Sequence, residues 1–220
     1  MTESCAQLIN FLTSQQISYV SGALLRDYTT FRLGGPCPLL VDCKSAAQVQ
    51  AVVRELLARH EDFLLIGGGS NLVVSDDGLD RIVVRYAAET PQVSHTGDVI
   101  EVSGGTSLDD LAAYSVAEGL AGLVKTSGIP GTVGGAIAGN AGAFGWQLGD
   151  AVRRVELLER DGARHWVDAS DLHFVYRGSM IAQRGAFVLQ AELELPRRDM
   201  DWLCAERDRL LAYRAERHPD

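Results

Sequence analysis

Residues 129–145 read IPGTVGGAIAGNAGAFG, and the reading of this stretch decides the fold. Gly131, Gly134, Gly135, Gly139, Gly142 and Gly145 sit among small and apolar residues with a single Asn and no charge. A helix would lose about 1 kcal/mol at each glycine relative to alanine. What glycine offers instead is positive φ and a backbone bare enough to touch a ligand. The segment therefore reads as main chain laid against something flat or phosphorylated. The plainer alternative is a tightly turned loop buried between strands.

Upstream lies a second glycine site, Ile66 to Asp76, IGGGSNLVVSD. A buried strand opens into Gly67, Gly68 and Gly69, followed by Ser70 and Asn71. Such a turn presents successive N–H groups to an anion and adds a hydroxyl and an amide. No Gly-Lys-Ser/Thr follows, so it is not a Walker A loop. Leu72 stands where a dinucleotide fingerprint needs its third glycine. Taken alone, a tight strand-to-strand turn explains it equally well; paired with residues 129–145, it suits a dinucleotide with a pyrophosphate. Downstream, FVYRGS places Arg177 beside Tyr176, where a guanidinium can clamp an anion. From Tyr176 to Ser179 alone an exposed loop arginine is the simpler reading.

The rest of the chain bounds these readings. It has 220 residues, 46% hydrophobic and 22% charged, with net charge −9. That size allows one large or two small domains with a substantial core. The negative balance argues against a nucleic-acid partner and against an anionic membrane surface, but not against a small anion held locally. The N-terminus lacks a basic region and a long apolar run, so no signal peptide or membrane span is expected. Cys5, Cys37, Cys43 and Cys204 have no metal or redox spacing, and read as reduced thiols of a cytoplasmic protein. His60, His95, His165, His173 and His218 form no ligand or triad pattern, and no metal site is expected.

Periodicity predicts helices over Cys5–Gln16, Ala46–His60 (capped by Ser45), Leu108–Glu118 (capped by Ser107) and Trp202–Arg217. Asp109 and Asp110 fall in a first helical turn, where negative charge suits the dipole. Strands are predicted over Leu39–Cys43, Phe63–Ile66, Leu72–Val74, Arg81–Arg85, Val99–Val102, Val152–Glu159, Arg164–Val167 and Phe187–Leu195.

The segments YTTFRLGGP, IGGGSNLVVSD, SGIPGTVGGAIAGNAGAFG and YRGS, in this order and spacing, closely resemble the UDP-N-acetylenolpyruvoylglucosamine reductases, also called UDP-N-acetylmuramate dehydrogenases. The resemblance covers nearly the whole chain. It implies an α+β FAD-binding fold of the vanillyl-alcohol oxidase type: a small α/β subdomain over 1–86, an α+β subdomain over 87–198, and FAD between them. Gly67, Gly68, Gly69, Ser70 and Asn71 would meet the pyrophosphate. Thr126, Ser127, Gly128, Ile129, Pro130 and Gly131, with Gly135, Ala138, Asn140, Ala141 and Gly142, would line the flavin and its phosphates. Tyr176 and Arg177 would face the substrate, Arg177 polarising its carboxylate. NADPH would be the hydride donor and a UDP-sugar the acceptor, in bacterial cell-wall synthesis. No His or Cys near the glycine segment matches a covalent flavin link, so FAD is expected to be non-covalent.

One departure stands out. The family continues into a third, substrate-binding domain whose GS-containing motif carries the proton-donor Ser, with an assisting Glu further on. No late GSxF sequence exists here, and 199–220 would only begin that domain. The alternative expectation is thus an FAD-binding module that is non-catalytic or depends on a partner. If the third domain is missing, Trp202–Arg217 is expected to expose an apolar stripe and to fray.

Overall fold

The computed structural model describes residues 3–217; the side chain of Cys5 and all of His218 lie outside what it describes. The first unit runs α1 (Glu3–Ser14), β1 (Ser18–Ser21), β2 (Leu39–Cys43), α2 (Ala46–Ala58), β3 (Phe63–Ile66) and β4 (Ile82–Tyr86). Its sheet has the order β1-β2-β4-β3, with β2, β4 and β3 parallel and β1 antiparallel at the edge. The near-continuous apolar runs of β2 and β4 suit the middle of a sheet covered on both faces. The Ser45 hydroxyl accepts from the Gln48 amide at 3.2 Å and starts α2. Val49, Val52, Val53 and Leu56 then bury one face of α2 with Leu8 and Leu12 of α1.

The second unit runs β5 (Val93–Thr96), β6 (Val99–Ser103), α3 (Leu108–Ala117), α4 (Val133–Ala138), β7 (Gly142–Ala143), β8 (Trp146–Gln147), β9 (Val152–Leu158), β10 (Arg164–Asp168), α5 (Met180–Arg184), β11 (Phe187–Glu194) and α6 (Met200–Arg217). Five strands form an antiparallel sheet, β10-β9-β11-β6-β5, while β7 and β8 make a separate small hairpin. Leu108 and Leu111 of α3 and Val133 and Ile137 of α4 pack with Ile100, Val155, Val188 and Leu193 of the sheet. Leu158 and Leu189 instead join the core of the first unit, and the Tyr86 hydroxyl donates to the Leu189 carbonyl at 3.3 Å.

Several expectations need correction. The glycine segment does contain a helix, α4, despite its poor propensity. Thr132 caps it, and its first amides are taken by the backbone of the turn between β6 and α3, Val133 to Thr106 and Gly134 to Gly104, both at 2.8 Å. A Cβ on Gly134 would stand 3.1 Å from the Gly104 and Val188 carbonyl oxygens, so glycine lets the helix lie directly on the sheet. That close packing offsets the propensity cost. Leu72–Val74 is not a strand but a loop with Val73 74% exposed. Strand β5 was not anticipated; VSHT is too short to stand out and forms by pairing with β6 around Gly97. The expected exposed stripe on α6 is absent: Leu203 and Leu210 are fully buried, with Leu203 packed on Val116 and Val124. Only its first turn shows large apolar surface, at Met200 and Trp202, and Arg198 stacks over Trp202 at 3.6 Å.

Candidate cofactor and substrate site

Three of the motif segments converge through bare backbone. Gly69 has φ +70°, and a Cβ there would fall 1.9 Å from the Tyr28 carbonyl oxygen. The Thr30 amide donates back to the Gly69 carbonyl at 3.3 Å, so YTTFRLGGP is clasped to the GGGSN loop. On its other side the loop meets the start of the glycine segment. A Cβ on Gly68 would be 3.3 Å from the Gly131 Cα, and one on Gly131, at φ +118°, would be 2.5 Å from the Ser70 Oγ. No side chain larger than hydrogen fits these positions without moving the partner. Among the described residues, the N–H groups of Gly68, Gly69, Ser70, Asn71 and Gly131 donate to nothing within the chain. A row of unspent amides at a glycine turn is an anion-binding surface. The residues present therefore fit a pyrophosphate.

Residues 126–128 are used differently. Thr126 and Ser127 are buried; the Thr126 hydroxyl donates to the Leu123 carbonyl at 2.7 Å, and the Ser127 hydroxyl accepts from Arg207 at 2.8 Å. The Gly128 amide donates to Asp109 Oδ1 at 2.7 Å. Arg207 of α6 grips both oxygens of Asp109, at 2.9 and 2.8 Å. Burial pushes the Asp109 carboxyl up. The Arg207 and Gly128 hydrogen bonds and the charges of Arg207 and Arg214 outweigh that and hold it below its ordinary value. Thus α6 and α3 fix the 126–128 turn from behind, leaving Gly128 and Pro130 exposed and Ile129 half-buried.

The far end of the glycine segment is a polar knot. Asn140, at φ +44°, is 1% exposed. Its amide nitrogen donates to Gln147 Oε1 at 3.1 Å and the Val175 carbonyl at 2.8 Å, while its oxygen accepts from the Gly149 amide at 2.9 Å. Asn140 therefore pins the FVYRGS loop to the glycine segment, and its side chain is spent inside the protein. Ser179 is likewise committed, donating to the Ala138 carbonyl at 2.7 Å. The Ala141 carbonyl accepts from the Leu148 amide, and Gly142 pairs with Gln147 in the β7–β8 hairpin. By contrast Tyr176 is 86% exposed, and Arg177, at φ +58°, makes no ion pair among the described residues. Both line an open recess of about 370 Å³ with Phe144, Trp146, Gln147 and Asp150. Gly135 lies between the two ends, exposed, where a Cβ would meet only the Thr132 hydroxyl, at 3.5 Å.

Sequence reasoning missed the clamp on 126–128. Asp109 reads as a helix-dipole residue, and nothing local pairs it with Arg207, which is distant in sequence. Lys125, whose Nζ donates to the Phe144 carbonyl at 3.2 Å, was equally silent. No cluster of three or more potential metal ligands occurs among the described residues.

Comparison with known proteins shows the family and the fold. Residues 37–168 match the family described as FAD binding domain. The chain is 34% identical over 80% of its length to a UDP-N-acetylenolpyruvoylglucosamine reductase from Alkaliphilus oremlandii, covering 58% of that protein. It is 31% identical over 96% of its length to the reductase of Clostridioides difficile, covering 69%. The chain spans about half the length of the curated relatives that it matches first, between 43% and 58%. The crystal structure of UDP-N-acetylenolpyruvylglucosamine reductase from Thermus caldophilus superposes with TM-score 0.74 and 32% identity, over 90% of this chain and 69% of that one. A glucooligosaccharide oxidase from Acremonium strictum, at TM-score 0.60 and 16% identity, shares the fold over 86% of this chain and 42% of its own.

Proposed function

Since the chain belongs to the family of the UDP-N-acetylenolpyruvoylglucosamine reductases, we propose that it binds FAD non-covalently and serves the NADPH-dependent reduction of UDP-N-acetylglucosamine enolpyruvate to UDP-N-acetylmuramate. The setting would be cytoplasmic peptidoglycan synthesis. The observation that carries the reading is the row of unspent amides at Gly68–Asn71 and Gly131, brought together where glycine leaves no room for a larger residue. Bound FAD would supply hydride transfer from NADPH to the enolpyruvyl carbon.

The residues of this chain would do the holding and polarising. The glycine-loop amides would take the pyrophosphate oxygens. The exposed positions Gly128, Pro130 and Gly135 would offer a face to the flat ring system. Arg177, cationic and unpaired at the rim of the recess, would bind the substrate carboxylate and draw charge from the developing enolate. Ser179 is no proton donor in this arrangement, because its hydroxyl is buried and already donates to Ala138.

A second reading is an FAD-binding module that does not complete the reaction alone. One anaerobic experiment separates the two: load the chain with FAD, reduce it with NADPH, add the enolpyruvyl substrate and follow the visible flavin absorbance. Reoxidation by substrate supports the reductase. Stable reduced flavin supports the module, and failure to take up FAD removes both.

A further inference from the structure

Ser179 stands at a helix N-cap and does not cap. It is extended, at φ −153° and ψ 168°, directly before α5, yet its side chain accepts from no amide of that helix. Ser45, Ser107 and Thr132 hold the same position before α2, α3 and α4, and each accepts from the amide three residues on. That bond is what makes a hydroxyl residue favourable at a helix start. The Ser179 hydroxyl, in a residue only 2% exposed, donates instead to the Ala138 carbonyl at 2.7 Å. Ala138 is the last residue of α4, where a carbonyl has run out of helical donors. No backbone amide among the described residues takes their place.

The same loop is tied a second time, by Asn140 Nδ2 to the Val175 carbonyl at 2.8 Å. Between the two ties Val175 and Gly178 bridge each other. The Val175 amide donates to the Gly178 carbonyl at 3.0 Å, and the Gly178 amide to the Val175 carbonyl at 3.2 Å. Tyr176 and Arg177 form the tip of this turn, with Arg177 at φ +58°. A side chain larger than hydrogen keeps such a left-handed backbone only where its surroundings impose it. Here the bridge imposes it, and the ties fix where the tip points. Both ties end on one short stretch of chain: the last residue of α4 and the second residue after it. The same helix carries Gly135, part of the proposed flavin face. A reaction between a flavin and a substrate needs the two held at a set separation. Hanging the arginine on the end of the helix that meets the cofactor sets that separation by the shortest route.

We propose that Ser179 is a positioning residue for Arg177: its hydroxyl forgoes the α5 cap to fix the guanidinium at the recess relative to α4. The inference rests on the reading of Arg177 as the group that binds the substrate carboxylate. Ser179 itself touches neither substrate nor cofactor. Without its hydroxyl the tip keeps its bridge and the Asn140 tie, but turns more freely about that single anchor. Arg177 then spends part of its time away from the carboxylate, and substrate affinity falls by that fraction.

The test is a double-mutant cycle between Ser179→Ala and Arg177→Met in the FAD-loaded chain. Calorimetric titration gives the Kd for the enolpyruvyl substrate, and flavin fluorescence the Kd for FAD. In the native background Ser179→Ala is expected to raise the substrate Kd about fivefold, the equivalent of one neutral hydrogen bond. The FAD Kd should stay unchanged. In the Arg177→Met background the same substitution should shift the substrate Kd by less than about twofold, because the group it positions is gone. Ser179→Thr keeps the donor and should restore the native value. Equal losses in both backgrounds overturn the inference, since they show that Ser179 does not act through Arg177. A Ser179→Ala chain that fails to fold, or that loses FAD and substrate affinity together, marks the hydroxyl as an ordinary structural group and overturns it too. If Arg177→Met weakens substrate binding and Ser179→Ala does not, this inference alone falls. If Arg177→Met leaves the substrate Kd at its native value, the reading of Arg177 fails and carries this inference with it.

Discussion

The two glycine-rich regions have similar compositions and opposite uses. In the loop Gly67–Asn71, glycine keeps side chains away so that amides stay free. In residues 129–145, glycine mostly lets backbone pack on backbone, and the polar groups are consumed: Gly134 lies on the sheet, Asn140 ties two loops together, and the Ala138 carbonyl accepts from Ser179. A polar group already bonded inside the protein positions a ligand only indirectly, whereas an unbonded one is available to hold it. Substitutions in spent positions should therefore cost stability, and substitutions in unspent positions should cost binding.

The largest effect is expected at Gly69, the loop glycine with the closest backbone approach. Gly69→Ala places a Cβ 1.9 Å from the Tyr28 carbonyl at positive φ. A loss of about 3 kcal/mol follows from overpacking and left-handed strain, or a fall of about 10 °C in thermal midpoint for a chain of this size. A midpoint within a degree or two of native would show that the two segments are not clasped as described. Next comes Asn140→Ala, which strands the Gly149 amide, removes one of the two donors to the Val175 carbonyl and puts alanine at φ +44°. About 2–3 kcal/mol of stability should go, and urea unfolding would measure it. Arg177→Met, in the same polar region but unspent, should invert that pattern. Stability should stay within about 0.5 kcal/mol, while the Kd for the enolpyruvyl substrate rises roughly thirtyfold, as for loss of a charge-assisted hydrogen bond worth about 2 kcal/mol. Calorimetric titration reads it, and an unchanged Kd would take Arg177 out of the site.

Asp109 extends the contrast to pH. Its folded pKa lies below its ordinary value, so its contribution is fully present above pH about 4 and is lost as pH falls through the folded value. In Arg207→Met the burial penalty loses its main offset, and the Asp109 pKa rises. The variant should be less stable than native by about 1 kcal/mol at pH 7, a modest figure because the carboxylate is partly solvated. That gap should narrow as pH drops below 4. Denaturant midpoints measured from pH 7 down to pH 3 check the sign; a gap that widens on acidification would contradict it.

How far the sequence could be read follows the same division. Local signals sufficed where the cause was local: Ser45 and Ser107 cap α2 and α3, and the apolar faces of α2 and the sheet strands are visible as periodicity. The motif segments meet as their shared glycines suggested. What stayed hidden came from long-range geometry. α4 exists because the sheet beneath Gly134 leaves room for nothing but hydrogen, and propensity alone argues the other way. Asn140 looked like a ligand residue because an isolated polar side chain in an apolar run has no visible partner, yet its partners sit at 147, 149 and 175. α6 looked stranded because its docking surface is made by α3 and by residues 123–126, far upstream.

Gly135 gives the smallest effect and the finest discrimination. It adjoins Gly134 in the first turn of α4, but a Cβ there meets only the Thr132 hydroxyl, at 3.5 Å. Gly135→Ala relieves the backbone entropy cost of glycine in a helix, so stability should rise by roughly 0.5–1 kcal/mol. The thermal midpoint should climb by about 2 °C. If the exposed positions Gly128, Pro130 and Gly135 are the face that receives the flavin, the same methyl group stands between helix and ring, and the FAD Kd should rise several-fold. A chain that gains stability and loses FAD affinity places residue 135 among the unspent positions. A gain in stability with unchanged affinity would restrict the cofactor face to the Gly67–Asn71 loop and the Gly128–Gly131 turn.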